Sequence, residues 1–403
     1  MKNLTLTEYG QPVEASLTIE ERDFIRCAAP SISVQPMAGV TDVYSLTGGS
    51  YVGALQYKDL DVLIKPKVGI PRLMFMISYA LDPRRWQLTD FAFGTDDGVV
   101  EAVIPSFVMH LRRALRRGLL QGYRTEEDAL TTVRGRVRFA DQLHRRYGMM
   151  LPVEVRFDEF TEDIEENRIL KAAVERLGRM RLRHDASRVA LRSFGAAFTT
   201  VSSVQYSPSR LPEIIYSRLN DHYRPAVELA KVILSASSLE LLRGDVQGSA
   251  FLIDMNVVFE EFVRVSLREK LRLGVPEFPA AAKGKSLYLD EGRAVRLEPD
   301  LSWWRGKNCC FIGDAKYKRT PPSAVLHPDI YQMLAYLVAT GLRRGLLIYA
   351  AGEAPPTVHK ISALSREIEV LTIDLDASPE KILSQMHVIA DGIQDQAGSS
   401  VAA

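Results

Sequence analysis

The chain is 403 residues long, enough for about two or three domains with an ample hydrophobic core. Its 51 Lys and Arg against 50 Asp and Glu leave a net charge of +1, which neither indicates nor excludes a nucleic-acid partner. The three cysteines, Cys27, Cys309 and Cys310, lack metal-ligand spacing, which argues against a disulfide framework or an iron–sulfur cluster and fits the cytoplasm. No N-terminal hydrophobic run occurs and no apolar stretch is longer than Leu73–Leu81, so we expect neither a signal peptide nor a membrane span.

Residues 4–67 predict a small β-rich domain, because short apolar runs alternate there with Gly, Pro and Asp turns. Within it, residues 37–57 are interpreted either as a sheet-edge meander, which we favour, or as a projecting hairpin. Helices are predicted over 73–79 and 107–120, and the second carries arginines opposite its apolar face. Such a cluster is typical of a solvated surface, and also of one that meets phosphate or an acidic partner. It continues with Arg134, Arg136, Arg138, Arg145 and Arg146.

The middle of the chain predicts a helical connector. An amphipathic helix is expected from Thr161 to Leu177, and a helical run from Leu211 to Ser235 is interrupted by Pro225. Asp163 and Asn167 lie one helical turn apart, so we expect them to form a local hydrogen-bonded pair rather than a catalytic pair.

Two strands and a tight turn are predicted later in the chain. Strand-like runs cover residues 294–304 and 309–317, and Arg305-Gly306-Lys307-Asn308 between them has the composition of a hairpin turn. Side chains alternate along a strand, so Asp314 and Lys316 share one face of the second run. The opposite face is predicted to carry Cys309, Phe311 and Gly313.

Helices are predicted on both sides of this hairpin. Upstream, residues 254–263 continue into an amphipathic helix, which leaves Glu260 free to face the hairpin. Downstream, Asp329 begins a helix that carries Gln332, and a strand follows over 344–349. A last helix is expected over 378–393, before a small, polar and flexible tail.

Asp300 and Asp314 make a carboxylate pair beside the ammonium group of Lys316, and oxygen ligands of this kind suit Mg²⁺. The backbone carbonyl of Ala315 is a further candidate ligand. Such a site acidifies water and neutralises a phosphodiester, and Lys316 would orient the attacking water. This is hydrolytic nuclease chemistry; the competing interpretation is a surface hairpin with an incidental ion pair. Two helix residues would support the site. Glu260 would assist the metal through a bound water, and Gln332 would reach the scissile phosphate or the attacking water.

The spacing of these residues is similar to the motif of the PD-(D/E)xK nuclease superfamily. Pro299-Asp300 is followed, after thirteen residues, by Asp314-Ala315-Lys316. With this motif in place, the chain resembles the McrC family, the nuclease subunits of McrBC modification-dependent restriction systems, over nearly its whole length. The resemblance rests on the order of short segments along one chain. Besides the nuclease motif they are Lys65–Ile70, Arg117–Leu119 before Tyr123, Arg134–Val137, Asp163, Asn167–Lys171, Asp254–Asn256 and Phe259-Glu260.

The resemblance implies that cleavage of double-stranded DNA is switched on by a hexameric AAA+ GTPase, which in this family also recognises modified bases such as 5-methylcytosine. It further implies a finger-like N-terminal element that enters the ring, for which residues 37–57 are the candidate.

Residues 277–286 end like a P-loop at Gly284-Lys285-Ser286, but Pro279 replaces the first glycine and a strand-like run follows. We therefore expect the partner, and not this chain, to bind GTP.

The expected fold is α+β or α/β and multidomain. It comprises a β-rich N-terminal domain that docks on the AAA+ partner (1–155), a helical connector (156–245), a PD-(D/E)xK restriction-endonuclease-like domain (246–385), and a helix end with a flexible tail (386–403). The expected function is a Mg²⁺-dependent endodeoxyribonuclease subunit of an antiviral restriction system. Two alternatives stay open: a non-catalytic activator of an AAA+ NTPase, and a stand-alone repair or recombination nuclease of the same superfamily.

Overall fold

The computed structural model divides into two compact units. The first combines Met1–Ala102 with Leu241–Ala403, and the second is Val103–Glu240. The P-loop-like residues Gly284 and Lys285 and the end of the predicted tail lie outside the part of the chain that the structure describes. The described residues are 2–83, 98–208, 210–236, 241–243, 246–280, 286–318, 327–350, 352 and 355–399.

The helices and strands are numbered here in chain order. The N-terminal part of the first unit contains β1 (Lys2–Thr7), β2 (Val13–Ser16), α1 (Ile19–Ala28), β3 (Ser33–Pro36), β4 (Val43–Thr47), β5 (Tyr51–Tyr57), β6 (Leu60–Lys65) and α2 (Ile70–Leu81). Next come α3 (Val99–Ala114), β7 (Gly122–Leu130), β8 (Arg136–Val137), α4 (Phe139–Arg145), β9 (Val153–Thr161), α5 (Glu165–Gly178), α6 (Asp185–Ala197) and α7 (Arg224–Ser235). The C-terminal part of the first unit contains β10 (Leu241–Arg243), β11 (Val246–Asp254), α8 (Met255–Lys270), β12 (Leu287–Tyr288), β13 (Arg296–Leu297), β14 (Leu301–Arg305), β15 (Asn308–Lys316), α9 (His327–Thr340), β16 (Arg344–Tyr349), β17 (Thr357–Ile361), β18 (Arg366–Thr372) and α10 (Pro379–Ser399).

Two sheets form the N-terminal part of the first unit. The larger has the strand order β1-β6-β5-β11-β10, in which only β1 and β6 run parallel, and the smaller has the order β2-β4-β3. Helix α1 begins at a capping box made by Thr18 and Glu21, and its Phe24 stacks on Tyr57 of β5 with 4.7 Å between ring centroids. Residues 37–57 contribute the middle strand of each sheet, β4 and β5, and these two strands do not pair with each other. The sheet-edge meander and the projecting hairpin are therefore both wrong.

The predicted domain division groups the residues differently from these units. Its boundary after residue 155 falls inside β9, and the boundary after 385 falls inside α10. Strand β11, predicted to open the nuclease domain, pairs instead with β5 of the N-terminal sheet, from Tyr57↔Gly248 to Tyr51↔Asp254. Local sequence patterns carry no information about pairing between strands so far apart in the chain.

A five-stranded mixed sheet organises the C-terminal part of the first unit. Its order is β14-β15-β16-β18-β17, with β15, β16 and β18 parallel and both edge strands antiparallel. Helix α9 packs on β15, β16 and β18, where Met333 and Leu337 join Ile312 and Leu347 in one buried cluster. Helices α8 and α10 also pack against β15. Strand β15 is therefore buried among helices as well as between strands.

The predicted hairpin between β14 and β15 is confirmed. Arg305 pairs with Asn308 across a two-residue turn in which Gly306 has φ +61°, a conformation that glycine adopts without strain. A register shift beside Trp303 and Trp304 leaves Cys310 as an extra residue in β15. Because of this bulge, Cys309 packs with the Ile312 cluster instead of lying on the face of Phe311 and Gly313, and its predicted placement is wrong.

A buried hydrogen bond links the start of the chain to the end of β15. The carboxylate of Glu8 is fully buried and accepts from Tyr317 Oη at 2.6 Å and from the Lys67 N–H at 2.5 Å. Phe259 of α8 lies beside the same tyrosine, with 5.9 Å between ring centroids. The position of Tyr317 is thus fixed by residues from three distant segments of the first unit.

The second unit contains the predicted helical connector and a small sheet. Helix α5 packs on α6 and α7 through buried residues that include Ile169, Leu170 and Leu177. The sheet has the antiparallel order β7-β9-β8, with nine residue pairs between β7 and β9. Helix α3, which crosses from the first unit into the second, ends at Ala114, so its predicted extension to residue 120 is wrong. No described helix of the whole chain is long and apolar enough to cross a membrane.

Asp163 is the centre of a polar network in the second unit. Its carboxylate accepts two hydrogen bonds from the Arg168 guanidinium at 2.8 Å, and the N–H and hydroxyl of Ser202 donate at 2.9 and 2.6 Å. Arg124 contacts the same carboxylate. Asn167 instead donates to two backbone carbonyls, those of Leu120 and Glu162, so the predicted Asp163–Asn167 pair is wrong. Arginine donors outcompete a neutral amide for a buried carboxylate, because charge-assisted hydrogen bonds are stronger.

We expect Asp163→Asn to lower the free energy of unfolding by about 2–3 kcal/mol at neutral pH, because two arginines lose a half-buried partner. The Arg168 hydrogen bonds hold the pKa of Asp163 well below its usual range. Because the pKa of Asp163 is lower in the folded than in the unfolded protein, its contribution to stability is complete above the unfolded pKa and is lost as the pH falls below it. The difference in unfolding free energy between wild type and Asp163→Asn should therefore shrink below about pH 4. Urea unfolding at several pH values measures this effect. Asp158→Asn, at an exposed hydrogen bond with Thr125 in the same sheet, is the control and should change little.

Candidate active site

The candidate site lies where β15 extends past the end of β14. The last residue pair between these strands is Leu301↔Gly313, and β15 continues to Lys316. The first predicted strand run breaks before Leu301, because Pro299 has no N–H to donate to a ladder. Asp300 stands at this break, and its Oδ2 accepts the free Ala315 N–H at 3.1 Å. A side chain thus replaces the missing strand and holds the carboxylate at the end of β15.

The backbone carbonyl of Ala315 points to the same edge of the strand. In a strand the N–H and C=O of one residue project to the same side, and the Ala315 N–H projects toward Asp300. On the other side, Lys316 O accepts from the Ala350 N–H at 3.1 Å. The predicted backbone ligand therefore lies on the side of the strand that carries Asp300.

Asp314 is the most deeply buried carboxylate of the site, with 1% of its surface exposed. The Lys316 ammonium contacts its Oδ2, as the shared strand face predicts. Among the described residues, neither oxygen of Asp314 accepts a hydrogen bond of good geometry. Buried carboxylates are normally hydrogen-bonded or bound to a cation, so these oxygens are suited to a ligand of positive charge.

The carboxyl groups of the site repel one another in the absence of a metal ion. Burial raises the pKa of Asp300 well above its usual range, and the nearby carboxylates of Asp314 and Glu260 raise it further. Burial lowers the pKa of Lys316, but the carboxylates of Asp314 and Asp300 outweigh this effect, and the resulting pKa is raised. Lys316 is therefore a cation at neutral pH, and the carboxyl groups around it exceed it in number.

Glu260 reaches the site from the first half of α8. The helix begins at Asp254, whose side chain accepts the Asn256 N–H at 2.9 Å, and Phe259 and Phe262 anchor it in the core. Burial raises the pKa of Glu260 to about 7; Asp314 acts in the same direction, and Lys316 opposes it. The structure thus brings Glu260 into electrostatic contact with the hairpin residues.

Gln332 lies at the edge of this group. It is exposed on α9, and its Nε2 donates to Tyr336 Oη at 2.9 Å. Tyr336 in turn donates to the carbonyl of Glu298 at 3.2 Å. Burial raises the pKa of Tyr336, and the carboxylates of Asp314 and Asp300 add to the shift. Gln332 is therefore connected through Tyr336 to the backbone of Glu298, two residues before Asp300.

Three residues beside the site were not assigned a role from the sequence. Lys318 Nζ lies 3.0 Å from both carboxylate oxygens of Asp329, and Tyr349 Oη donates to Asp329 Oδ2 at 2.6 Å. The negative charge of Asp329 also acts on Lys316. Lys318 follows Lys316 by two residues, and this strand spacing is the one sequence signal that pointed to it.

The residues present fit a divalent cation of the Mg²⁺ type. Mg²⁺ needs only one or two protein carboxylates and keeps several waters, and Asp300, Asp314 and the Ala315 carbonyl offer such a set. The oxygens of Asp314 that accept no hydrogen bond and the repulsion around Asp300 are the observations that favour it. Across the described residues, no three His, Cys, Asp or Glu side chains converge as in a closed three-ligand site.

Comparison with known proteins shows the family of this chain. Residues 46–350 match the family model of the McrBC 5-methylcytosine restriction system component. No curated protein gives a significant match. Among solved structures, an assembly of Thermococcus gammatolerans McrB AAA+ hexamers with bound McrC matches at 18% identity and a TM-score of 0.57, over 97% of this chain and 100% of the other. The cryo-EM structure of the Thermococcus gammatolerans McrBC complex matches at 20% identity, over 67% of this chain and 88% of the other, with a TM-score of 0.41.

The first of these structural matches extends over almost the entire chain, so it supports a common fold, while the low identity limits it to the fold. The family match covers well over half of the chain and includes Asp300, Asp314 and Lys316. The chain therefore belongs to the family of McrBC 5-methylcytosine restriction system components.

Proposed function

We propose that this chain is the Mg²⁺-dependent endodeoxyribonuclease subunit of a modification-dependent restriction system, and that it works docked on a GTP-hydrolysing AAA+ ring. The observation that carries the proposal is the convergence of Asp300, Asp314 and Lys316 at the free end of β15. The family of the chain supports the biological setting.

Each residue of the site has a distinct role in this proposal. Asp300, Asp314 and the Ala315 carbonyl would hold Mg²⁺, which when bound supplies Lewis acidity toward water and the phosphodiester. Lys316 stays protonated, so it orients the attacking water and stabilises negative charge by donating hydrogen bonds. Two residues complete the site, Glu260 through water and Gln332 through Tyr336.

The burial of Asp314 favours a nuclease over a non-catalytic activator. Two close buried carboxylates with a single lysine between them destabilise a fold, since one ammonium group compensates their repulsion and desolvation only in part. An activator would gain from replacing one of them by an amide or an apolar residue. Their joint presence is explained if the metal is used in catalysis.

We place the docking surface on the segment Gly122–Thr161 of the second unit. Within this segment only Glu154 and Val155 are buried. Large apolar side chains are exposed instead, and contiguous exposure of this kind marks interaction sites. They are Tyr123, Val133, Phe139, Leu143, Tyr147, Met149, Met150, Leu151 and Phe160.

The composition of this surface fits a protein partner better than a DNA backbone. Aromatic residues, methionine and arginine are the residues enriched in protein–protein interfaces. The later part of the predicted arginine cluster, five arginines from Arg134 to Arg146, lies here, but four of these five form ion pairs, as in Arg138–Glu127 at 2.8 Å and Arg146–Glu154 at 3.1 Å. Their charge is therefore largely balanced. The partner we assign is the AAA+ hexamer, since the structure matched over 97% of this chain is an assembly of such hexamers.

Asp300→Asn should stabilise the metal-free protein, increasingly so as the pH rises. The pKa of Asp300 is higher in the folded than in the unfolded protein. Its contribution to stability is therefore complete at a pH below the unfolded pKa and is lost as the pH rises toward the folded pKa. The amide avoids this loss. In EDTA, the advantage of the variant over wild type should therefore grow from about pH 5 to pH 8, to roughly 1 kcal/mol or more.

Thermal unfolding with and without Mg²⁺ measures this effect and tests the metal assignment. Mg²⁺ should stabilise wild type more at pH 8 than at pH 6, because binding displaces protons from the carboxyl groups. It should not stabilise Asp300→Asn. Asp391→Asn, at an exposed carboxylate on α10, is the control and should respond like wild type. A full Mg²⁺ response in Asp300→Asn would contradict the assignment.

Asp314→Asn should reduce DNA cleavage at least about a hundredfold, because one metal ligand loses its charge. The measurement is cleavage of methylated and unmethylated plasmid in Mg²⁺, with and without the AAA+ partner and GTP. Cleavage that needs the partner, GTP and Asp314 is the expected result. Equal behaviour of wild type and variant, with both raising the GTPase rate of the partner, would favour the activator. Cleavage without the partner would favour a stand-alone nuclease.

The double variant Tyr147→Ser/Met150→Ser should weaken binding to the AAA+ ring at least about tenfold, because two exposed anchors of the docking surface are lost. Affinity for the ring and stimulation of its GTPase are the quantities to measure. Val189→Ser, at an exposed apolar residue on α6, is the control and should bind like wild type. Unchanged binding by the double variant would place the docking surface elsewhere.

A further inference from the structure

A second lysine beside the candidate active site is held by an ion pair with a buried aspartate. Lys318 Nζ lies 3.0 Å from each oxygen of Asp329, and only 7% of the Asp329 side chain is exposed. Tyr349, itself 1% exposed, donates to Asp329 Oδ2 at 2.6 Å. Burial raises the pKa of Tyr349, and its hydrogen bond with Asp329 raises it further, so the phenol stays a donor.

The backbone fixes the start of the Lys318 side chain as well. Lys316 O accepts from the Lys318 N–H at 2.8 Å and from the Ala350 N–H at 3.1 Å, so the chain leaving β15 is anchored to the end of β16. Asp329 lies in the first turn of α9, where a negative charge is favoured by the helix dipole. Both ends of the lysine side chain are therefore held, which removes most of the rotamer freedom of a long side chain before any ligand arrives.

This restraint leaves part of the ammonium group available to a ligand. An ammonium group has three N–H donors, and the two Asp329 oxygens account for two of them. The Lys318 side chain is 36% exposed, in contrast to its buried partner. The ion pair adjoins the catalytic charges, since Asp329 acts on Lys316 and Asp314 acts on Tyr349. A fixed, partly exposed cation beside a phosphodiesterase site is suited to a non-bridging phosphate oxygen of the substrate strand.

We propose that Lys318 binds a DNA phosphate next to the scissile one, and that Asp329 and Tyr349 position its ammonium group for this contact. The inference rests on the proposed nuclease function. Lys318 is thereby a substrate-binding residue distinct from Lys316, which faces Asp314 and the attacking water. Asp329 and Tyr349 are positioning residues that do not touch the substrate.

The test compares Lys318→Met, Lys318→Arg and Asp329→Asn in the full-length chain. DNA affinity is measured as a function of salt with a duplex in EDTA, and kcat and KM are measured with Mg²⁺, the AAA+ partner and GTP. Lys318→Met should raise KM about five- to tenfold and reduce the slope of log K against log salt by about 0.9, the value for one lost phosphate contact. Lys318→Arg should restore the slope.

Asp329→Asn separates positioning from charge. It keeps the Lys318 ammonium but weakens its restraint, so KM should rise several-fold while the salt slope stays that of wild type. Lys307→Met, at the exposed turn at the other end of β15, is the matched control and should leave slope and KM unchanged.

Each further outcome counts against the proposal. A salt slope and KM for Lys318→Met equal to those of wild type would show that the ion pair only stabilises the fold, whatever happens to the unfolding temperature. A wild-type chain that neither binds nor cleaves DNA would refute the proposed nuclease function, and this inference with it. If Lys318→Met behaves like wild type and the wild-type chain still cleaves DNA, only the role of Lys318 is refuted and the proposed nuclease function is unaffected.

Discussion

The burial of the Asp314 carboxylate is the constraint on which the site depends. A charged group with 1% exposure is costly unless a counter-charge lies next to it, and the Lys316 ammonium supplies one on the same face of β15. This arrangement needs the end of β15 to be unpaired on the β14 side. If β14 continued alongside it, the Ala315 N–H would bond to the backbone of β14 and could not donate to Asp300. The proline before Asp300 interrupts the first strand and so permits the second to carry the site. The same few residues thus determine both where strand β14 begins and where the proposed catalytic groups lie.

Around this point the first unit supplies support from widely separated parts of the chain. Glu8 fixes Tyr317, α8 brings Glu260, and α9 brings Asp329 and Tyr336. These groups are buried or half-buried, and Glu8, Asp329 and Tyr336 are each held by hydrogen bonds, which keeps their geometry stable when a substrate is absent. A site that brings together so many like charges needs such rigid support, because its own electrostatics favour separation.

The sequence predicted the local parts of this arrangement well. The hairpin, the helices that carry Glu260 and Gln332, and the shared face of Asp314 and Lys316 follow from period-two and period-3.6 patterns, and the structure contains each of them. The bulge at Cys310 escaped prediction because one extra residue changes the face of Cys309 without a signal in composition. Asp163 was given the wrong partner, since helical spacing says nothing about an arginine from β7 or a serine that follows α6. The Asp329–Lys318 pair was missed for the same reason: residues from two elements meet only in the folded chain.

The placement of β11 has a consequence for synthesis on the ribosome. The five-stranded N-terminal sheet lacks its strands β11 and β10 until residues 241–254 have been made, and by then the whole second unit, Val103–Glu240, has already been synthesised. Strand β5 must therefore wait with one edge unpaired while an intervening unit folds, a stage at which exposed strand edges are prone to wrong partners. Since α8 follows β11 directly in the chain, Glu260 takes its place only after that edge is closed. Vectorial synthesis thus makes completion of the N-terminal sheet a step that precedes assembly of the site.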